Sequence, residues 1–414
     1  MNKLFHKRNT CRLCKSLNAN LVLKLESVPS VTPNMKSTQS TDKNYDLIPL
    51  DLYLCRKCGF LHLFDIVNPT QLYDKYLYET KISIGLIDHF QNLCHDIINL
   101  GILNPNSLII EIGSNDGSFL NLFKNYGYDV LGVDPAKDIV KKANKNNVPS
   151  IVGYFSSELA KEIAYSHRKS NLIVANNVIA NIDNLDSIFE GINILLEDNG
   201  LFVFETQYGL SILNDHLLDV IYHEHLSYFT VKPLVKYLKK FSLEIFNVEK
   251  ISAKGGSIRF WIKRTNNKLK ISNNVNLFIH EEINSGFYNI NYYKSFELRI
   301  HSIRNRLLSI ITECKNLGQK VGIYGTSVGC ISLIHQFRLS EYIDFAFDDN
   351  PLKNLISGHR KKIRVFNSNK ISELNPSLII ILAWRYNKII IERNFEYTKN
   401  GGIFITPLPE IYIH

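Results

Sequence analysis

The chain has 414 residues, 45% of them hydrophobic and 11% aromatic, which is enough for two or three domains with substantial cores. The net charge is +9, but the Lys and Arg residues are scattered, so we expect a solvated basic surface and no nucleic-acid partner. No apolar run is long enough for a membrane span, and the first residues lack the apolar core of a signal peptide. We therefore expect a cytoplasmic protein without a membrane partner.

Four of the seven cysteines form two Cys-x-x-Cys pairs, Cys11/Cys14 and Cys55/Cys58. Two such pairs on separate turns can present four thiolates in a tetrahedron, which predicts a zinc site; two reduced cysteine pairs are the alternative. Four cysteine ligands leave no open position, so the metal is expected to be structural. We assign residues 1–72 to a zinc-binding N-terminal domain, with irregular loop over 29–51.

Three tyrosines follow this module within six residues, among them Tyr76 and Tyr78. Such a cluster usually packs in a core, but the phenols could also donate hydrogen bonds in a site. The apolar spacing over 82–100 then predicts a helix.

The central stretch predicts a strand, a glycine turn and a helix, which together open a nucleotide-binding unit. The strand is 108–112, the turn 113–117, and the helix begins at Ser118. Because the turn holds Asp116 and no Lys or Arg, it suits a cationic adenosine ligand such as S-adenosylmethionine better than a diphosphate. An ordinary tight turn is the alternative. The candidate cofactor residues here are Glu111, Gly113, Ser114, Asn115 and Gly117.

Two later strands also end in candidate cofactor residues. The strand over 129–133 ends in Asp134, at the separation expected of a carboxylate that binds ribose hydroxyls. The strand over 171–177 ends in Asn176 and Asn177, and the carboxyl ends of parallel strands line the ligand crevice. We assign residues 73–265 to an α/β S-adenosylmethionine-binding domain.

The segment Tyr222-His223-Glu224-His225 crowds titratable groups together. If the segment is extended, the two histidines share one face. A metal site, a structural hydrogen-bond cluster and general acid–base catalysis are all compatible with this pattern. The spacing favours catalysis by a small margin.

The following hairpin and the C-terminal third carry candidate substrate residues. In Lys254-Gly-Gly-Ser257-Ile-Arg259, the arginine could clamp an anion; an exposed arginine at a hairpin entry is the alternative. Residues 274–317 predict a long helical region, after which 320–329 repeats the strand–glycine–helix design in a smaller α/β domain over 266–414. Its loop, Gly325-Thr326-Ser327, holds no acid and so favours phosphate.

Taken in order, these motifs resemble the sugar-nucleotide C-methyltransferases, such as the 3-C-methyltransferases of branched deoxysugar biosynthesis. The motifs are the two Cys-x-x-Cys pairs, Glu-Ile-Gly-Ser-Asn-Asp-Gly-Ser, Tyr-His-Glu-His-Leu-Ser-Tyr-Phe, Lys-Gly-Gly-Ser-Ile-Arg, Tyr-Gly and Asp-Asp-Asn-Pro. The resemblance implies a zinc module, a central S-adenosylmethionine domain and a C-terminal domain that helps hold a nucleoside-diphosphate 4-keto-sugar. An RNA methyltransferase and a non-catalytic sugar-nucleotide binder are the alternatives.

The resemblance also implies roles for individual residues. His225 is the expected base, with Tyr76, Tyr222 and Glu224 nearby. The expected substrate contacts are Tyr78, Ser257, Arg259, Gly325, Thr326, Ser327 and Asp349. The chain departs from the family pattern at Asn181 and Lys254, where histidine is usual, and at Gly325-Thr-Ser, where Gly-Ala is usual and a lysine accompanies the loop. We expect a monomer.

Overall fold

The computed structural model describes residues 4–29, 47–74, 80, 85–351, 353–357 and 362–414. Tyr76 and Tyr78 lie outside the described residues, as does most of the predicted loop over 29–51. The described part of the chain contains one small antiparallel module and two larger α/β parts, which confirms the predicted fold class.

The N-terminal module is built from short strands around the two cysteine pairs. Its elements are β1 (Phe5–Lys7), β2 (Ala19–Leu23), β3 (Val28–Pro29), β4 (Leu47–Ile48), β5 (Leu52–Cys55), β6 (Leu61–Leu63), β7 (Asp65–Val67) and α1 (Pro69–Tyr73). The turn between β5 and β6 is closed by the Gly59 N–H, which donates to the Cys55 carbonyl at 2.8 Å. Gly59 has a φ of 82°, a left-handed conformation that glycine adopts without strain.

The central part is a seven-stranded sheet with helices between its strands. Its helices are α2 (Leu86–Asn99), α3 (Ser118–Asn125), α4 (Lys137–Lys145), α5 (Ser157–Ser166), α6 (Leu185–Leu195), α7 (Gly209–Asn214) and α8 (Val231–Leu238). Its strands, together with the short β13, are β8 (Leu108–Ile112), β9 (Asp129–Asp134), β10 (Ser150–Val152), β11 (Ser170–Asn176), β12 (Leu196–Gln207), β13 (Ser227–Tyr228), β14 (Leu243–Ile251) and β15 (Ser257–Arg264).

The strand order of this sheet is β10-β9-β8-β11-β12-β15-β14. Strands β8 to β12 run parallel, and the β14–β15 hairpin joins antiparallel to β12. Every residue of β8 is buried, as expected of a strand that helices cover on both faces. The order reverses between β8 and β11, and a ligand crevice is expected at such a point.

The C-terminal part begins with two helices and then repeats the parallel design. Its helices are α9 (Asn273–Asn284), α10 (Ile290–Asn316), α11 (Val328–Gln336), α12 (Ile371–Leu374), α13 (Asn387–Arg393) and α14 (Phe395–Lys399). Its strands are β16 (Val321–Tyr324), β17 (Phe345–Phe347), β18 (Leu355–Ser357), β19 (Lys362–Phe366), β20 (Leu378–Ile381), β21 (Ile403–Thr406) and β22 (Tyr412–Ile413). The order is β18-β19-β17-β16-β20-β21-β22, with only the two edge strands antiparallel.

The helical region predicted over 274–317 is two helices, because the chain turns at Gly286, where φ is 82°. Among the described helices, none combines the length and the apolar content that crossing a bilayer requires.

One buried apolar cluster runs through all three parts of the chain. Phe60 of the N-terminal module packs on Phe229, which follows β13, with ring centroids 5.4 Å apart. Phe229 in turn packs on Phe204 of β12 at 5.5 Å. The zinc module is therefore continuous with the core of the central sheet.

Candidate active site

A cavity of about 520 Å³ opens at the carboxyl ends of the central parallel strands. Its walls include the ends of β8, β9 and β11, and its volume lies within the range of cofactor sites. Most of the predicted cofactor residues line it, namely Glu111, Gly113, Ser114, Asn115, Asp134, Asn176 and Asn177. The structure thus brings together residues that are up to 66 positions apart, as the order reversal between β8 and β11 requires.

The glycine turn approaches its neighbours closely. Gly113 has a φ of 73°, and a Cβ there would lie 2.9 Å from the Val178 side chain. Gly117, also at positive φ, begins α3, and a Cβ there would lie 2.9 Å from Val148. A side chain at either glycine would therefore displace the turn from the cavity wall.

Asp134 is held at the end of β9 by two backbone amides. The Ala136 N–H donates to Oδ1 at 2.8 Å and the Asn115 N–H donates to Oδ2 at 3.0 Å. Burial raises the pKa of Asp134, and these two hydrogen bonds oppose the rise. The carboxylate therefore stands fixed at the cavity, where a ribose diol could donate to it.

Several buried polar atoms around the cavity have no hydrogen-bond partner among the described residues. They are Glu111 Oε2, Ser114 Oγ, Asn176 Oδ1, Asn177 Oδ1 and Asn181 Oδ1. Buried polar atoms are normally paired, so this cluster indicates a polar ligand. Burial raises the pKa of Glu111 strongly, and a cationic group beside it would reverse that effect. The residues thus fit S-adenosylmethionine, which carries a ribose, an ammonium and a sulfonium.

The Tyr-His-Glu-His segment is a turn and is not extended. The His225 N–H donates to the Tyr222 carbonyl at 2.9 Å, and the two imidazoles take different partners. His223 Nε2 donates to the Pro49 carbonyl at 3.0 Å, whereas His225 Nδ1 donates to the Val220 carbonyl at 2.7 Å. The condition under which the two histidines would share one face, an extended segment, is therefore not met.

The contacts of His225 fix its tautomer. A carbonyl can only accept, so Nδ1 carries the proton and Nε2 is left as an acceptor, 3.1 Å from the Tyr222 hydroxyl. Burial lowers the pKa of His225 to about 4, so its imidazole is neutral at pH 7. The same cause raises the pKa of Glu224 to about 7. Within the described part of the chain, the only four-ligand metal cluster is that of the cysteines, so the metal-site interpretation of this segment has no support.

Lys254 connects this turn to the cofactor cavity. It lines the cavity, and its positive charge acts through space to lower the pKa of both Glu224 and His225. His225 itself does not line the cavity wall, while Tyr222, His223 and Glu224 line a small neighbouring crevice with α11. Asn181, the second departure from the family pattern, lines the same cavity as Lys254. Sequence reasoning noted Lys254 only as a departure and gave it no role.

Arg259 is buried, so the interpretation as an exposed arginine at a hairpin entry is wrong, and its contact with substrate stays a prediction. It is 4% exposed on β15. Its guanidinium donates hydrogen bonds to the carboxylates of Glu205 at 2.7 Å and Glu249 at 3.0 Å. Ser257 is also buried and donates to the Ala253 carbonyl at 3.0 Å. Neither residue lines the cofactor cavity. Internal carboxylates thus occupy the guanidinium that was expected to bind substrate.

In the second glycine loop, as at Arg259, hydrogen-bond donors are already paired with a carboxylate of the protein. The backbone N–H and the hydroxyl of Thr326 both donate to Asp348, which ends the neighbouring strand β17. Ser327 caps α11 by accepting from the Cys330 N–H at 3.3 Å. The loop itself holds no acid, as the sequence shows, but the fold places Asp348 against it. Asp349 instead accepts from the Tyr324 hydroxyl at 3.0 Å.

The C-terminal part docks directly on and beside the turn at 222–225. Arg385 forms a two-pronged ion pair with Asp219, three residues before Tyr222. The Ser332 hydroxyl of α11 donates to the Ile221 carbonyl at 3.0 Å. A Cβ at Gly329 would lie 2.3 Å from the Asp219 carbonyl oxygen. These contacts leave the turn enclosed between two α/β parts.

The four cysteines of the N-terminal module converge as predicted. All four Sγ atoms lie within 4.8 Å of one another, with Cys11–Cys58 at 3.6 Å and Cys14–Cys55 at 3.5 Å. Tetrahedral thiolates ~2.3 Å from zinc would be about 3.8 Å apart, close to these values. The donor set therefore fits zinc, with no position left for a substrate.

The zinc module also supports the turn at 222–225. Strand β13, which directly follows His225 and Leu226, pairs with β6 of the module. Between the cysteines, the fully buried Arg12 donates to the Leu63 and Leu226 carbonyls and pairs with Asp183, a cavity residue. Sequence reasoning missed Arg12; an arginine inside a zinc knuckle carries no signal of burial.

Comparisons with known proteins cover nearly the whole chain. Family models match for a zinc binding domain over residues 11–73, a methyltransferase domain over 87–248 and a C-methyltransferase C-terminal domain over 252–409. The C-methyltransferase NovU of Streptomyces niveus is 28% identical over 403 residues, which are 97% of this chain and 95% of that protein.

Two solved methyltransferases each match less than half of this chain. Magnesium protoporphyrin IX methyltransferase of Synechocystis, with bound S-adenosylhomocysteine, is 13% identical with a TM-score of 0.35, over 44% of this chain and 84% of its own. An S-adenosylmethionine-dependent methyltransferase of Clostridium acetobutylicum is 13% identical with a TM-score of 0.34, over 43% of this chain and 92% of its own.

Proposed function

Because the chain belongs to the S-adenosylmethionine-dependent C-methyltransferases and has a structural zinc module, we propose that it methylates a carbon of a nucleotide-linked 4-keto-deoxysugar. The base-catalysed loss of a proton beside the ketone would give the enolate that accepts the methyl group. The nucleoside-diphosphate keto-sugar is the proposed partner, and we expect a cytoplasmic monomer.

The observation that carries this proposal is the tautomer and the neutral charge of the His225 imidazole. Its Nδ1 proton is held by the Val220 carbonyl, and its Nε2 lone pair faces a phenol on a turn between the two α/β parts. A neutral imidazole with a fixed tautomer can accept a proton at Nε2 without first rearranging. Methyl transfer to carbon needs such a base, since the carbon acid must lose a proton.

Other residues would contribute to proton removal and methyl transfer. S-adenosylmethionine, when bound by Asp134 and Glu111, supplies an electrophilic methyl group. His225 Nε2 would take the proton, and Tyr222 would reposition its hydroxyl towards the reacting oxygen. The C-terminal part would keep water from the enolate, which would otherwise be reprotonated.

The test is a screen of candidate nucleoside-diphosphate keto-sugars with a labelled methyl donor, followed by mass spectrometry of the products. The proposal expects one methyl group attached to sugar carbon. Labelled RNA from a parallel incubation, or binding of a sugar nucleotide with no product from any candidate, would contradict it.

A further inference from the structure

One cation faces the cofactor cavity. Among the described lining residues, Lys254 is the only Lys or Arg, whereas Glu111, Asp134 and Asp183 are all acidic. The side chain of Lys254 is accessible from the cavity. A lone positive charge among acids is a distinct chemical element of the site, and it can pair only with an anionic group, either the carboxylate of the cofactor or an oxygen of the substrate.

The backbone holds Lys254 in a constrained conformation. Its φ is 54°, in the left-handed region that non-glycine residues rarely adopt, and Gly255 and Gly256 follow at 88° and 128°. Arg385 packs against Gly255, where a Cβ would lie 2.3 Å from its Nε. Conformations of this kind are energetically unfavourable and persist where the surroundings impose them, often at functional sites.

No carboxylate neutralises Lys254 by direct contact. Its interactions with Glu205 and Glu224 act through space, without a hydrogen bond or ion pair among the described residues. Glu205 already pairs with Arg259 at 2.7 Å and His89 at 2.7 Å. A structural role in balancing Glu205 is therefore unnecessary, and the ammonium is left available to a ligand.

The proposed chemistry needs a positive group at this place. Burial leaves His225 a weak base, with a pKa of about 4, so it can deprotonate carbon only if the enolate is strongly stabilised. Fixed charges aimed at a developing oxyanion are usually the largest source of such stabilisation. Lys254 is adjacent both to the cofactor cavity and, through space, to the His225 turn.

We propose that Lys254 is a catalytic residue whose ammonium binds the oxygen of the substrate ketone as it becomes an enolate. The C–H electron pair moves into the new C=C bond, the carbonyl π pair moves to oxygen beside Lys254 Nζ, and the proton goes to His225 Nε2. When the methyl group is transferred, the oxygen pair re-forms C=O and the C=C pair makes the new bond from carbon to methyl, while the pair of the broken methyl–sulfur bond would stay on the sulfur of the methyl donor. This inference rests on the proposed function.

The test uses Lys254→Met in the full-length, zinc-loaded protein with a keto-sugar nucleotide that the wild type methylates. Lys254→Met should lower kcat ~10²–10³-fold, with the KM for the sugar nucleotide changed less than about fivefold. Exchange of the substrate's acidic proton with solvent deuterium should slow by a similar factor, because Lys254 acts before methyl transfer. Lys254→Arg, which keeps the charge, should recover part of the exchange.

Lys250→Met, at an exposed lysine on β14, is the matched control and should behave as the wild type. The melting temperature and the Kd for S-adenosylmethionine, measured for every variant, identify a folding defect; in that case the Lys254→Arg result decides. Unchanged kcat and exchange in Lys254→Met, or a rise in KM alone, would overturn the assignment while leaving the proposed function intact. A wild type that neither exchanges nor methylates any keto-sugar would overturn both.

Discussion

At the scale of single residues, His225 carries the proposed chemistry. Replacing it by asparagine removes the acceptor at Nε2 and should lower turnover ~10²–10⁴-fold, the usual contribution of a general base. Binding of S-adenosylmethionine, measured by calorimetry, should persist because His225 does not line the cofactor cavity. Exposed His167 gives the control His167→Asn. Full turnover in His225→Asn would remove His225 from the mechanism.

The neighbouring His223 should make folding sensitive to acid. Burial lowers its pKa from 6.5 to about 4, so between these values the unfolded chain binds the proton that the folded chain rejects. Its contribution to stability is therefore complete above pH 6.5 and is lost as the pH falls towards 4. His223→Gln keeps a donor for the Pro49 carbonyl but cannot titrate.

The comparison is urea unfolding of the wild type and His223→Gln from pH 7.5 to 4.5. The free energy of unfolding of the variant, relative to the wild type, should rise steadily as the pH falls below 6.5. The difference isolates His223 from Glu224, whose raised pKa acts in the opposite direction. A difference that stays constant with pH would contradict the assignment.

The predicted site residues that meet at the cavity are those fixed by local pattern. Glu111, Asp134 and Asn176 lie at or next to the ends of parallel strands, so they come together at the cavity whatever their surroundings. The burial of Arg259 was not predicted because its partners, Glu205 and Glu249, come from other strands that only the antiparallel register brings beside it. Lys254 had no interpretable signal, since its importance depends on the acids around it in space.

At the scale of elements, the zinc module is connected to the turn at 222–225 through the pairing of β6 with β13. Removing zinc with a chelator should lower both the melting temperature and turnover, and restored zinc should recover them, because the four thiolates hold the turn between β5 and β6. Elemental analysis should give about one zinc per chain. Chelated protein that loses its zinc but keeps full turnover would show that zinc is not needed to hold the turn at 222–225 in its active conformation.

Strand and helix periods predicted most elements of both α/β parts, because buried parallel strands such as β8 and β20 are short apolar runs between turns. The turn at 222–225 could not be predicted this way. Its conformation is set by hydrogen bonds to Val220 and Pro49, and the second of these is 174 residues from its partner. A long-range contact of that kind leaves no period in the sequence.

At the scale of the whole molecule, the C-terminal part is joined to the segment before the turn at 222–225 by the ion pair between Arg385 and Asp219. Arg385→Ala would leave the mostly buried Asp219 without its cation and loosen the turn, so kcat/KM should fall ~10–100-fold. The Kd for S-adenosylmethionine should change little, since neither residue lines the cofactor cavity. Exposed Lys388 on α13 offers the control Lys388→Ala. Equal kcat/KM in Arg385→Ala and the wild type would show that the docking does not position the turn.

The measurement that tests the central claim most directly is nuclear magnetic resonance of a keto-sugar nucleotide incubated with the protein in deuterated water without a methyl donor. Deuterium should enter the carbon beside the ketone with the wild type and should be lost in His225→Asn. Adding S-adenosylmethionine should then place the methyl group on that same carbon. Methylation without any prior exchange in the wild type, or equal exchange in His225→Asn, would contradict an enolate formed by His225.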